Sequence, residues 1–102
     1  MKPRILIVDD EKNTREGLKW GLEGLEAEVD LAANGDEALA LMADHTYDLV
    51  VTDLKMPGIS GLDLLQRIKA EESGTEVILL TAHGTVETAV KAMHEGAFDY
   101  QT

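Results

Sequence analysis

An α/β fold built on an open parallel sheet is what this sequence predicts, and three observations predict it. Ile5-Leu6-Ile7-Val8, Leu49-Val50-Val51 and Val77-Ile78-Leu79-Leu80 are short continuous apolar runs, the length of strands covered on both faces. The stretches between them carry apolar residues at the three-to-four spacing of helices. Each run also stops abruptly at polar groups: Asp9-Asp10-Glu11, Asp53, and Thr81-Ala82-His83-Gly84. In a parallel α/β sheet the carboxyl ends of the strands border a crevice where ligands bind, so these stops matter as much as the runs.

The elements follow in order. After the first strand a helix is expected from Asn13, with Leu18, Leu22 and Leu25 on one stripe and Glu16, Lys19 and Glu23 elsewhere. Gly17, Gly21 and Gly24 weaken it by about 1 kcal/mol for each interior glycine, unless Gly24 is its C-terminal cap. Trp20 falls nearly opposite the leucines, where it is either solvent-exposed or part of a contact surface. Ala27, Val29 and Leu31 alternate with Glu28 and Asp30, the pattern of a half-covered strand at a sheet edge. The Asn34-Gly35 turn leads to a short helix holding Ala38, Leu39, Leu41 and Met42, with Asp36 and Glu37 near its positive end. Asp53 closes the third strand before a Pro57-Gly58 turn, and Ser60 is placed to cap a helix burying Leu62, Leu65 and Ile68. Ser73-Gly74 ends it. Thr85 opens a fourth helix with Val86, Ala89, Val90 and Met93 inward, Gly96 closes it, and Phe98 and Tyr100 begin a fifth strand.

Alternation of this kind implies βαβ units with right-handed crossovers. With three apolar strands central and the Ala27 strand at an edge, the arrangement is the flavodoxin-like order 2-1-3-4-5. The first helix then lies on one face and the next three on the other. A fifth helix would sit beside the first, and residues 1–102 do not include it.

Composition narrows the function. A chain of 102 residues suggests one domain with a modest core. Nine Lys and Arg against 20 Asp and Glu leave a formal charge of -11, which repels a phosphate backbone, so direct nucleic-acid contact is not expected. No run approaches the roughly 18 apolar residues of a membrane span, and the four-residue run after Met1 is too short for a signal peptide. Zero cysteines fit a reducing cytoplasm and remove thiolate metal sites. His45, His83 and His94 lie on separate elements without metal-ligand spacing, which favours surface or packing roles.

In the predicted order strands 1 and 3 are neighbours, so Asp9, Asp10 and Asp53 converge at one end of the sheet. Three crowded carboxylates raise one another's pKa unless a cation joins them, and Mg²⁺, a hard ion preferring oxygen ligands, suits them. An oxygen of Asp53 left facing outward is a nucleophile able to form an aspartyl phosphate. The plainer alternative is that Asp53 caps a loop. Thr81, at the end of the neighbouring strand, can donate a hydroxyl and Ala82 a backbone N–H to a phosphoryl oxygen. Taken alone, a strand-end Thr is more often a turn residue.

The segments Ile5 to Glu11, Asp48 to Asp53 with Lys55-Met56-Pro57-Gly58 and Gly61, Thr81-Ala82, and Gly96-Ala97-Phe98-Asp99-Tyr100 resemble the receiver domain of bacterial two-component response regulators, with NtrC-type transcriptional activators nearest. That resemblance spans residues 1–102 and implies a phosphorelay module that regulates transcription. In it Asp53 is the phosphoacceptor, served by a sensor histidine kinase. Asp10 and Asp53 hold Mg²⁺ with the Lys55 backbone carbonyl, Asp9 acts on it directly or through water, Thr81 is the switch hydroxyl, and Tyr100 is the aromatic that follows it. An edge aromatic with its hydroxyl in water is the other reading of Tyr100. Helix 4 and strand 5 would face the output domain.

The resemblance also implies a lysine at the end of strand 5, and the chain stops at Thr102, just before that position. Lys55 is no substitute, since the family uses backbone atoms there. A C-terminally incomplete receiver is therefore expected, and an alternative is a fragment that keeps the fold, or a swapped form, but has lost the switch. With one face covered by helix 1 alone, a homodimer or swapped oligomer is expected. Two other functions fit less well. A phosphatase of the haloacid-dehalogenase type needs a general acid where Lys55 stands, and a nucleotide or flavin module needs an anion-receiving turn where Asp9-Asp10-Glu11 stands. The chain is expected not to be an enzyme.

Overall fold

The computed structural model describes residues 2–24, 26–53, 58–71 and 74–80, and residues 99–101 as backbone. The elements are β1 (Arg4–Val8), α1 (Lys12–Glu23), β2 (Glu28–Ala32), α2 (Gly35–Asp44), β3 (Leu49–Asp53), α3 (Gly61–Ala70), β4 (Glu76–Leu80) and β5 (Asp99–Gln101). They form one parallel sheet in the order β2-β1-β3-β4-β5, the flavodoxin-like arrangement expected. The predicted fourth helix and Phe98 lie outside the described residues, as does Leu25.

Because successive side chains of a strand face opposite ways, each apolar run feeds two cores. Leu6, Val8, Val50, Val77 and Leu79 face α2 and α3, where Ala38, Leu64, Leu65 and Ile68 are also buried. Ile5, Ile7 and Val51 face the other way, against Leu18 and Leu22 of α1. This is why those strands read as unbroken apolar runs. β2, with one neighbour, is less covered: Glu28 is exposed and Val29, Asp30 and Leu31 are half-buried.

The helix ends follow their chemistry. Ser60 caps α3 through a capping box, its side chain accepting from the Asp63 N–H at 3.1 Å while Asp63 accepts from the Ser60 N–H. Asn34 caps α2 by accepting from the Glu37 N–H at 2.8 Å. Gly24 is the C-cap of α1 but in the right-handed region (φ -63°), and the left-handed residue comes two positions later, at Glu26 (φ 59°). A glycine's usual advantage at a helix end is thus not used there. It is used at Gly58 and Gly74, both near φ 80°, which turn the chain after β3 and before β4. Trp20 is 83% exposed.

A polar cluster ties the amino ends of the strands. The Tyr47 ring is buried beneath the sheet, its hydroxyl donates to Asp30 at 2.6 Å, and its carbonyl accepts from the Thr75 hydroxyl at 2.7 Å. Arg4 stands over that ring at 5.9 Å, 3.8 Å from Asp30, while its backbone N–H donates to Asp48 at 2.8 Å. Burial first, and then the Asp30 acceptor, push the Tyr47 phenol above its ordinary pKa, so it stays a donor.

Candidate metal centre

The register of β1 on β3 builds the site. Val8 pairs with Thr52, so Asp9, one residue beyond the strand, stands beside Asp53, the last residue of β3. One carboxylate oxygen each from Asp9, Asp10 and Asp53 lie within 4.8 Å of one another. No other set of three potential ligands comes as close among the described residues. Asp9 is buried, Asp53 half-buried and Asp10 exposed, so the cluster opens to solvent on one side.

Asp9 is held at three atoms. Its N–H donates to the Ala32 carbonyl at 3.1 Å, its Oδ1 accepts from the Glu11 N–H at 2.8 Å, and its own carbonyl accepts from Arg15 Nη1 at 2.8 Å. Burial raises the Asp9 pKa above its ordinary value. The Glu11 hydrogen bond works against that, and the charges of Asp53, Asp10 and Glu11 add to it.

The donor set suits a hard divalent ion. Trans ligands of an octahedral Mg²⁺ stand about 4.2 Å apart, twice its bond length of about 2.1 Å. Oxygens spread over 4.8 Å at most need only a small side-chain rotation, or one bridging water, to share such an ion.

Of the residues picked out by sequence, Asp9, Asp10 and Asp53 are brought together. Tyr100 lies on β5 opposite Leu79. Lys55, Thr81 and Ala82 lie outside the described residues. His45 is exposed beyond α2, its ring edge-on to Tyr47 at 6.3 Å, and it takes no part in the cluster; His83 and His94 are not described.

Two contacts around the site were not read from sequence. Arg15, whose Nη1 donates to the Asp9 carbonyl, is not among the residues singled out above. Its signal was position, since helical side chains lean toward the N-terminus and a long one early in α1 can reach back to the end of β1. Gly35 is buried against the loop after β3. A Cβ there would stand 2.6 Å from the Cβ of Ile59, so α2 approaches that loop as only glycine allows.

A parallel 2-1-3-4-5 sheet with paired acids after β1 and a third closing β3 defines a class of protein, the receiver domains of two-component response regulators. Residues 5–102 match the family described as the response regulator receiver domain, and the chain belongs to that family. It is 48% identical over 99 residues to the regulatory protein AtoC of Escherichia coli, an alignment covering 95% of this chain and 21% of AtoC. The DNA-binding transcriptional regulator NtrC of Salmonella typhimurium is 40% identical over 96 residues, covering 94% of this chain and 20% of NtrC. The chain thus spans about a fifth of these relatives. Among solved structures, a response regulator from Burkholderia pseudomallei with a phosphorylated aspartic acid, calcium ion and citrate superposes with a TM-score of 0.91 at 30% identity, covering 98% of this chain and 59% of that one.

Proposed function

We propose that this chain is a phosphoacceptor module that takes a phosphoryl group onto Asp53 from the phosphohistidine of a sensor histidine kinase. The observation that carries the reading is the meeting of Asp9, Asp10 and Asp53 at the carboxyl end of the sheet. The phosphorylated aspartic acid named for the Burkholderia relative supports it.

Asp53 attacks phosphorus with a carboxylate oxygen. The new P–O bond forms as the P–N bond to histidine breaks, and the imidazole nitrogen keeps the electron pair and takes a proton from solvent. Asp9, Asp10 and Asp53, with the Lys55 carbonyl, would hold Mg²⁺, which when bound offsets the carboxylate charge and that of the phosphoryl oxygens. Asp9 stays anchored by its backbone and by Glu11, so its carboxylate is in place before any ligand arrives. In this reading the Thr81 hydroxyl and the Ala82 N–H donate to the phosphoryl oxygens, and Tyr100 follows Thr81 toward the site.

The partners of this reading are the sensor kinase, an output domain that regulates transcription, met through helix 4 and strand 5, and a second copy of the chain. The place of action is the cytoplasm, consistent with the finding that no helix among the described residues is long and apolar enough to cross a membrane. The chain accepts one equivalent and is not an enzyme. Incubation with a small-molecule phosphodonor and Mg²⁺, followed by intact mass, tests this. One phosphoryl adduct, cleaved by alkali and by hydroxylamine as an acyl phosphate is, is expected on the wild type and none on Asp53→Ala. An adduct that survives in the variant, or sustained turnover of phosphate esters, overturns it.

A further inference from the structure

Arg15 and the peptide it holds point beyond that reading while resting on it. The segment between β1 and α1 carries two of the three clustered acids but belongs to neither element. Its first residue is fixed at the N–H by Ala32 and at the carboxylate by Glu11. The remaining handle is the Asp9 carbonyl, which belongs to the peptide leading into Asp10. Arg15 takes that handle from six residues away, through a part-buried 2.8 Å bond. Asp10 is exposed, so little packing restrains it and its direction depends on that peptide plane.

We infer that Arg15 is a positioning residue of the metal site, aiming the Asp10 carboxylate at the ion through its hydrogen bond to the Asp9 carbonyl. Two physical effects then oppose each other. A guanidinium repels a divalent cation nearby, so deleting its charge should tighten Mg²⁺ binding. Its hydrogen bond orients a ligand-bearing peptide, and loss of such an outer contact weakens metal affinity by about 10–100-fold. The direction of change in a variant therefore reports which effect governs.

The test is Mg²⁺ titration by calorimetry on this chain, with thermal melts confirming that each variant is folded. Arg15→Met is expected to raise the Mg²⁺ Kd about tenfold, at the low end of that range because Arg15 is part-exposed. Arg15→Lys, which keeps a donor of reduced reach, recovers part of the loss. Arg15→Gln keeps N–H donors without charge and answers the question even where the methionine variant is unstable. It is expected to bind more tightly than Arg15→Lys if it reaches the carbonyl, and never more weakly than Arg15→Met. Lys12→Met removes the same charge from the exposed start of the same helix and should leave the Kd unchanged or slightly lower. If the wild type binds Mg²⁺ and Arg15→Met binds it equally or better, the inference is overturned and the proposed function stands. A wild type that binds no Mg²⁺ overturns both.

Discussion

At the amino ends of the strands, polar groups are paired with one another: Tyr47 with Asp30, the Arg4 N–H with Asp48, and Lys69 with the Thr75 carbonyl at 3.2 Å. At the carboxyl ends, three carboxylates face one another instead, and the most buried of them has its pKa raised. Both ends are built from the same parallel strands. The difference is that one end brings acceptors to the protein's own donors, whereas the other brings three carboxylates close together, where burial and their mutual repulsion raise the Asp9 pKa and a bound cation would lessen that repulsion. A site of this kind trades stability for readiness to bind.

Truncating the self-contained end should have the largest effect. Tyr47→Ala removes a fully buried ring and its hydroxyl's bond to Asp30 while keeping the carbonyl that Thr75 donates to, and a loss of about 3–5 kcal/mol is expected in denaturant unfolding. Mg²⁺ affinity of the molecules that remain folded should stay as in the wild type; a parallel loss of affinity would show that the two ends are coupled.

Next in size is relief of the strained end. Mg²⁺ at one hundred times its Kd should stabilise the chain by about 2.7 kcal/mol, read as a rise in Tm. A Tm indifferent to Mg²⁺ would break the contrast outright.

The smallest effect concerns sign rather than size. The folded pKa of Asp9 lies above its ordinary value of 3.8, so between those two values the folded chain holds more protons than the unfolded one. The contribution of Asp9 to stability is therefore present below that ordinary value and is lost as pH rises through the folded pKa. Asp9→Asn keeps an oxygen for the Glu11 N–H but cannot ionise. Without metal, its stability relative to the wild type should improve as pH rises through this window and then level off. A pH-independent difference between the two melts would remove the carboxylate repulsion from the account.

Much of this was legible in the residues. Strands buried on both faces leave unbroken apolar runs, so β1, β3 and β4 and their central positions could be read, as could the alternating edge strand β2. The acids stood where those runs ended, which with the strand order was enough to bring them together. Ser60 announced its cap because capping is local. What could not be read depends on contacts between distant segments. Tyr47 precedes a strand and follows a helix, and no periodicity says that its hydroxyl meets Asp30, 17 positions away. Gly24 could be read as the cap of α1, but nothing in the sequence shows that the left-handed residue comes two positions later, at Glu26. Arg15 shares its helix with Lys12 and Lys19, and only the fold shows which of these cations turns inward.

The pairing of Val8 with Thr52 reaches further than the two strands it joins. Strand alternation means that a slip by a single position would turn Asp53 to the opposite side of the sheet, leaving the acids after β1 without their third member. An ion captured here would thus be a witness to correct alignment between segments more than 40 residues apart in the chain. Misaligned copies would lack that third carboxylate, and the ion with it.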